Sequence, residues 1–408
     1  MAAMGFETVF TYAAPPLVYG PGAINDIPFH LRDAKSVLIV TDAGVEATGA
    51  PQRIVDMLPC AVTVYADVHV EPTDASLQDI SDFVRRNGRF DALIAVGGGS
   101  SIDTAKAANL MATNPGTLLD YVNAPIGAGR APSQPLKPLI AVPTTTGTGS
   151  ESTTICVLDV LEQHVKTGIS HAALRPSLAV VDPDLTMTQP PMVTASAGLD
   201  ILCHALESYT ARPFDAFEAK TAEQRVPYCG ANPISDMWAQ AALSMMAEAF
   251  VPAVRDNDPK ARGAMSLAAT LAGMGFGNAG VHIPHANAYP VAGRVRDYRP
   301  ADYPQEKPLV PHGMAVSLTA PAAFRLTEPA SPQRHRTAAA LLGGVDLPST
   351  LRGIMDAVGM PSGLREVGFG PADIPDLVTG AMAQQRLLSM APVDVTPDDL
   401  ARVFEESM

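Results

Sequence analysis

Asp200 and His204 stand four residues apart in the segment SAGLDILCHALES, a spacing that puts a carboxylate and an imidazole on one face of a helix. Such a pair can share a divalent ion, or it can be a satisfied polar contact in a core. Downstream, His282 and His285 fall in GNAGVHIPHANAYPVAG and His312 in the Pro-His-Gly turn of PLVPHGMAV, so three more imidazoles occupy two short Gly/Pro-rich segments. One Asp with three His makes a mixed oxygen and nitrogen donor set without thiolate, suited to Fe(II), Zn(II) or a similar divalent ion. A substrate oxygen could then complete the coordination. The zinc-protease pattern is excluded, because no HExxH run is present. Glu207, three residues beyond His204, stands either behind a ligand or in solvent.

A second constellation lies upstream. The run ALIAVGGGSSIDTAKAANLMA reads as a buried strand, a glycine turn and an Ala-rich helix. Gly97, Gly98 and Gly99 carry no Cβ, so backbone N–H groups can approach a pyrophosphate at the positive end of that helix. Asp103 of the same run joins the expected cofactor set. A second polar turn, PTTTGTGSE, follows the strand PLIAV and offers hydroxyls to a ribose or adenine. Asp42, at the end of VLIVTD, is either a ribose-binding carboxylate, which would repel a 2′-phosphate and favour NAD, or an ordinary N-cap. Here the acid precedes the glycine turn, the reverse of the usual dinucleotide fingerprint order.

These groups need elements to hold them. The first 185 residues or so alternate short apolar runs with helical stretches, the runs being 37–40, 62–65, 92–96, 139–142 and 178–181. Near-continuous apolar strands separated by helices indicate a parallel sheet covered on both faces. From Thr194 the segments are longer and rich in Ala, Leu and Met, which indicates a helical domain. The expected architecture is an α/β, Rossmann-like parallel-sheet domain at 1–187 and an all-α metal-binding domain at 188–408. Stretches 213–233 and 294–311 read as long loops. The tail reads as a helix with Thr396 as N-cap, Pro397 at its first position and Asp399 as capping-box partner.

A chain of 408 residues with 47% hydrophobic content suits two cores. A net charge of −14 with no basic stripe argues against nucleic acid or an anionic membrane as partner. The four scattered cysteines fit a reducing compartment. Since the start MAAMGFETVFTYAAPP has neither signal-peptide nor transit-peptide character and no long apolar stretch follows, a cytoplasmic location is expected.

Taken together, YGPGA, GGGSSIDTAK, PTTTGTGSE, the stretch AVVDPDLTMTQPPMVTASAGLDILCHALE and the PHG turn resemble the iron-containing (group III) alcohol dehydrogenases over nearly the whole chain. Segments such as VHVEPTDASL, GANPISDMWA and GFGNAGVHIPHANAYP are most similar to its hydroxyacid-oxoacid transhydrogenase branch. The resemblance implies a dehydroquinate synthase-like fold with metal ligands at Asp200, His204, His285 and His312. It implies diphosphate contacts at Gly98, Gly99 and Ser100, adenosine-side contacts at Thr144, Thr145 and Thr148, a ribose carboxylate at Asp42 and a nicotinamide-side lysine at Lys166. His282 is then an extra histidine, either behind a ligand or in the pocket. Tyr289 stands where many members carry a proton-relaying histidine, and its ordinary pKa of about 10 makes it a poorer shuttle at neutral pH.

The implied activity is a metal-dependent, NAD-linked dehydrogenase or aldehyde reductase for a small primary alcohol or ω-hydroxy acid, such as 4-hydroxybutyrate. The alternative is a transhydrogenase that retains NAD while oxidising 4-hydroxybutyrate and reducing 2-oxoglutarate. A substrate carboxylate needs a cation, and Arg225, Arg294, Arg296 and Lys307 lie in the two long loops. A dehydroquinate-synthase-like lyase would need several Lys and Arg for a phosphate, with which the helical domain is sparing. Relatives dimerise, so a homo-oligomer is expected.

Overall fold

The computed structural model describes residues 5–163 and 165–408, so the first four residues of the opening segment read above lie outside the described residues. Two compact units emerge, one of Ala14–Thr145 with Gly149–Met187, the other of the described residues up to Ala13, Thr146–Thr148 and Thr188–Met408.

Among the described residues the first unit contains eight strands: β1 (Leu17–Tyr19), β2 (Ser36–Val40), β3 (Ala61–Tyr65), β4 (Ala92–Gly97), β5 (Leu139–Pro143), β6 (Ile155–Val160), β7 (Val165–Ser170) and β8 (Leu178–Val181). Six of them form one parallel sheet in the order β1-β8-β5-β4-β2-β3, while β6 and β7 pair separately as an antiparallel hairpin. All five strands expected from the apolar runs lie in this sheet. In register, Ile94 of β4 faces Ile39 of β2 and Ile140 of β5. The pleat sends Val37, Ile39, Ile94 and Ile140 into one core and Leu38, Val40, Leu93 and Leu139 into the other. Burial on both faces is why these strands read as unbroken apolar runs. Helix α1 (Gly99–Thr113) supplies Ile102, Ala105 and Ala108 to the second core. Strand β1 gives little signal because it is three residues long at a sheet edge, and β7 because its run VKTGIS is mostly half-buried and polar.

The second unit is helical. Its long members are α2 (Pro191–Thr210), α3 (Pro233–Arg255), α4 (Pro259–Ala279), α5 (Ile283–Gly293) and α6 (His312–Thr327). Every residue of α2 from Gly198 to Thr210 is buried, so its polar side chains must find partners inside the protein. The segments 213–232 and 294–311 contain only two single-turn 3-10 helices between them, as expected for loops. The final helix is Pro397–Glu406, and Thr396 and Asp399 form the capping box read from the tail.

Candidate metal centre and nucleotide-binding turn

In the helical unit, α2 places Asp200, His204 and Glu207 along one stripe, α5 contributes His285 from its first turn, and α6 begins at His312. The start of α6 can approach α2 because Gly313 has no side chain. A Cβ there would sit 2.0 Å from the Ser196 carbonyl oxygen. The Met314 N–H then donates to Ser196 Oγ at 3.1 Å, which secures the junction.

Three imidazole Nε2 atoms surround one oxygen. His285, His204 and His312 lie 3.5, 3.7 and 3.9 Å from Asp200 Oδ1. Donor atoms of Asp200, His285 and His312 are all within 4.8 Å of one another, while His204 approaches the same carboxylate from beside that trio. Tetrahedral ligands about 2.1 Å from an ion stand about 3.4 Å apart, so the three imidazole-to-carboxylate spacings are within about half an ångström of that figure. Asp200 Oδ1 and His285 Nε2 are buried without a hydrogen-bond partner among the described residues. Leaving two such groups unsatisfied costs roughly 1–3 kcal/mol each, and a divalent ion between them removes that cost. The donor set and the orphaned atoms therefore fit a divalent metal. Asp200, His204 and His285 side chains are 3–5% exposed and that of His312 37%, so the cluster opens on the His312 side.

Electrostatics agree with this geometry. Burial raises the Asp200 carboxyl pKa, but His204, His312 and His285 outweigh it and hold the group far below the usual carboxylate range. His204 is depressed to about 3, first by burial and against the pull of Asp200. Its ring stacks on Phe276 at a 3.9 Å centroid distance. For His285 burial is again the largest influence and lowers the pKa, but Glu207 and Asp200 together raise it to about 10.

Glu207 is the residue whose role the spacing left open. It is fully buried and takes the His285 Nδ1 proton in a short hydrogen bond. The backbone N–H groups of His282 and His285 donate to its other oxygen at 2.8 and 3.2 Å. With Nδ1 held by Glu207, Nε2 is the His285 nitrogen that faces the cluster, and a metal ion there would take the place of its proton. His282, expected either behind a ligand or in the pocket, is 0% exposed, with Nε2 against Thr210 Oγ1 at 3.1 Å. Because the Thr210 hydroxyl donates to the Leu206 carbonyl, His282 Nε2 is the donor in that pair. Tyr289 lies one turn beyond His285 on α5 and is half-buried.

In the α/β unit the glycine turn closes β4 and opens α1, with Gly98 as N-cap and the backbone of Gly98, Gly99 and Ser100 partly open to solvent. Gly97 adopts φ 155°, and a Cβ there would lie 2.2 Å from Ser101 Oγ. Asp42 is an N-cap that also stands beside the glycine turn. Its Oδ1 caps a helical turn by accepting from Val45 N at 2.9 Å, and its Oδ2 accepts from Ser101 Oγ at 3.1 Å beside the glycine turn. Thr144 donates its N–H to the Gly97 carbonyl at 3.0 Å, and Thr145 lies against Gly98. Thr148 belongs with Thr146 and Gly147 to the helical unit.

Two expected cofactor contacts are committed elsewhere. Asp103 accepts from Lys106 Nζ at 3.1 Å, Ser150 Oγ at 2.5 Å and Val157 N at 2.9 Å, a buried network that fastens the segment after the second polar turn to α1. Lys166, on β7, is clamped by Glu71 and by Asp159, the latter at 3.2 Å. Burial alone would lower its pKa, but the two carboxylates outweigh this and raise it. Glu71 itself sits at φ 60° with its N–H donating to Ser100 Oγ at 3.1 Å, so the hairpin lysine is tied to the glycine turn through this residue. Nothing in the sequence distinguished Glu71.

Residues 14–183 match the family described as iron-containing alcohol dehydrogenase, and residues 194–408 match the Fe-containing alcohol dehydrogenase family, C-terminal. The chain belongs to the iron-containing alcohol dehydrogenase family. Within it, the chain is 44% identical over 422 residues to the mitochondrial hydroxyacid-oxoacid transhydrogenase of Mus musculus, covering 98% of this chain and 90% of that one. Among solved structures, a 1,3-propanediol oxidoreductase shares 28% identity with a TM-score of 0.85, over 98% of this chain and 100% of the other. Sulfoacetaldehyde reductase from Bifidobacterium kashiwanohense, solved in complex with NAD+, shares 27% identity with a TM-score of 0.83, over 98% of both chains. Among the described residues no helix is long and apolar enough to cross a membrane.

Proposed function

We propose that this oxidoreductase transfers hydride between a small ω-hydroxy acid and an oxo acid, with NAD retained between the two halves of the reaction. The observation that carries the reading is the meeting of Asp200, His285 and His312 around one buried carboxylate oxygen, in a chain 44% identical to a hydroxyacid-oxoacid transhydrogenase. This places the reading nearer the transhydrogenase expectation than that of an ordinary NAD-releasing dehydrogenase.

Asp200, His204, His285 and His312 are the residues that would hold the metal, and Glu207 keeps His285 in the tautomer that can do so. When bound, the ion supplies Lewis acidity toward a substrate oxygen and NAD supplies the hydride carrier. The open N–H groups at the start of α1 bind the diphosphate, Asp42 the ribose, and Thr144, Thr145 and Thr148 the adenosine side. Lys166 orders the hairpin through its two carboxylates. Tyr289 Oη is the hydroxyl one turn from His285 that can hold the substrate proton. His282 supports the start of α5 from within the core.

Turnover of 4-hydroxybutyrate with 2-oxoglutarate, measured with and without added NAD, tests this. Full exchange without added NAD supports retention. Activity that requires free NAD and ignores 2-oxoglutarate returns the protein to the dehydrogenase reading.

A further inference from the structure

A substrate carboxylate needs a cation, and the loop arginines read from the sequence are engaged. Arg225 pairs with Glu7 at 3.1 Å, Arg294 with Asp376 at 3.3 Å, and Arg296 with Asp373 at 2.8 Å. Other half-buried arginines of the helical unit are also committed, Arg212 to Asp394 at 2.6 Å and Arg334 to Asp236. Arg352 and the buried Arg262 donate to neutral oxygens instead, Arg352 to the Ser362 carbonyl and Arg262 to Asn257 Oδ1 and the Gln189 carbonyl at 2.8 and 2.6 Å. Lys307 has no carboxylate partner among the described residues but lies in the loop 294–311. Arg386 has neither kind of partner among them. It is half-buried on the short helix Gln385–Leu388, and among the described residues no carboxylate pairs with it. Its guanidinium lies 4.1 Å from the centroid of the Tyr228 ring.

Tyr228 connects this cation to the metal cluster. Its ring packs over Gly280, where a Cβ would be 3.2 Å away, and Met390, from the segment following Arg386, closes on the same point at 2.9 Å. Gly280 leads directly into His282 and His285, and the short helix packs against α5. Tyr228 holds φ 73°, a conformation that disfavours a bulky side chain, and the Asn278 carbonyl fixes it by accepting from both Tyr228 N and Cys229 N at 3.0 and 2.8 Å. The Tyr228 phenol is raised above its usual pKa mainly by burial, with Arg386 opposing and the Glu207 carboxylate adding to the rise. The Tyr228 ring thus touches Arg386 on one side and packs over Gly280, just ahead of His282 and His285, on another. Lys220 also lacks a carboxylate partner, but it stacks on Phe217 and has none of these connections to α5.

We propose that Arg386, braced on Tyr228, receives the carboxylate distal to the reacting hydroxyl and so selects ω-hydroxy acids over neutral alcohols. A planar guanidinium can bind a carboxylate through two parallel N–H donors. The inference rests on the proposed substrate class and adds the residue that enforces it.

The test compares kcat/KM for 4-hydroxybutyrate and butan-1-ol in the metal-loaded wild type, Arg386→Met and Arg386→Lys, with thermal melting as the check of folding. The ratio of the two values should fall at least about 30-fold in Arg386→Met, chiefly through KM for the acid, and recover in part in Arg386→Lys. Succinate, as an unreactive dicarboxylate, should inhibit the wild type and lose most of its potency against Arg386→Met. If the wild type prefers the acid but Arg386→Met keeps the same ratio, the assignment of Arg386 is overturned while the proposed substrate class stands. If the wild type shows no preference for the acid, the substrate class fails and the assignment with it. Should Arg386→Met fold poorly, the Arg386→Lys ratio decides, since an unchanged KM for the acid also overturns the assignment.

Discussion

Glu207 accepts the Nδ1 proton of His285 and, on its other oxygen, the backbone N–H groups of His282 and His285, so one buried carboxylate fixes both the ring and the start of its helix. A metal-binding imidazole held this way keeps its lone pair on the ligand side, and loss of such a partner costs about 10- to 100-fold in metal affinity. Glu207→Gln should therefore weaken Zn(II) or Co(II) binding in equilibrium dialysis by that factor while the protein still folds. Glu207→Ala, which leaves three donors unpaired, should also lower the melting temperature. Unchanged affinity in Glu207→Gln would show that His285 needs no such support.

Removing the ion tests the cluster from the other side. Chelation should abolish turnover and a divalent metal should restore it, whereas NAD binding measured by fluorescence should change little. His285→Ala and His312→Ala should reproduce the chelated state. Full activity in protein verified to be metal-free would be incompatible with the centre described here.

Gly313 sets how closely α6 meets α2. A methyl group there would fall 2.0 Å from the Ser196 carbonyl, a backbone atom that cannot rotate aside. Overpacking of this kind costs roughly 1–3 kcal/mol or more. Gly313→Ala should lower stability in urea by about that amount and reduce bound metal per chain, because His312 moves with the helix start. A stability loss with full metal content would mean that the neighbouring helix accommodates the shift.

Much of this was legible because the residues that matter carry local signals. Asp200 and His204 announce themselves by helical spacing, the five buried strands by unbroken apolar runs, and the last helix by Thr396 and Asp399. What the sequence concealed depends on contacts distant along the chain. Asp103 sits in a glycine-rich cofactor motif, yet its partners Ser150 and Val157 lie some fifty residues away and convert it into a buried brace. Lys166 is likewise held by Glu71, ninety-five residues earlier, together with Asp159 across the hairpin. His282 and His285 are three residues apart and chemically alike, so spacing alone does not separate them; the resemblance favours His285, and packing turns it to the cluster and His282 into the core.

That brace is itself testable. Lys106 is 0% exposed and its ammonium meets Asp103, Ser150, Thr153 and the Ile155 carbonyl. Removing one partner of a buried ion pair costs about 3–5 kcal/mol, because the other charge is stranded. Lys106→Met should unfold at markedly lower denaturant concentration, and Lys106→Met with Asp103→Leu should be less damaged than the sum of the two single changes. Strict additivity would indicate that Asp103 and Lys106 do not act as a pair.

Glu7 gives a pH dependence whose direction can be worked out. Its carboxylate accepts two N–H groups of Arg225, together with the backbone N–H groups of Thr8, Val9 and Lys220, and so ties the N-terminal segment to the loop spanning 213–232. Arg225 is the largest influence, and the pKa falls from 4.5 to about 2. A carboxyl group with a depressed folded-state pKa binds its proton more readily when unfolded. Its stabilisation is therefore complete above pH 4.5 and is lost as pH falls toward 2. Glu7→Gln removes this contribution at every pH. In urea titrations the wild type should exceed Glu7→Gln by a constant margin at neutral pH, and the two curves should converge across that acidic window. A margin that persists unchanged to the acid end would mean that the contact stabilises through packing, with the charge on Glu7 contributing nothing.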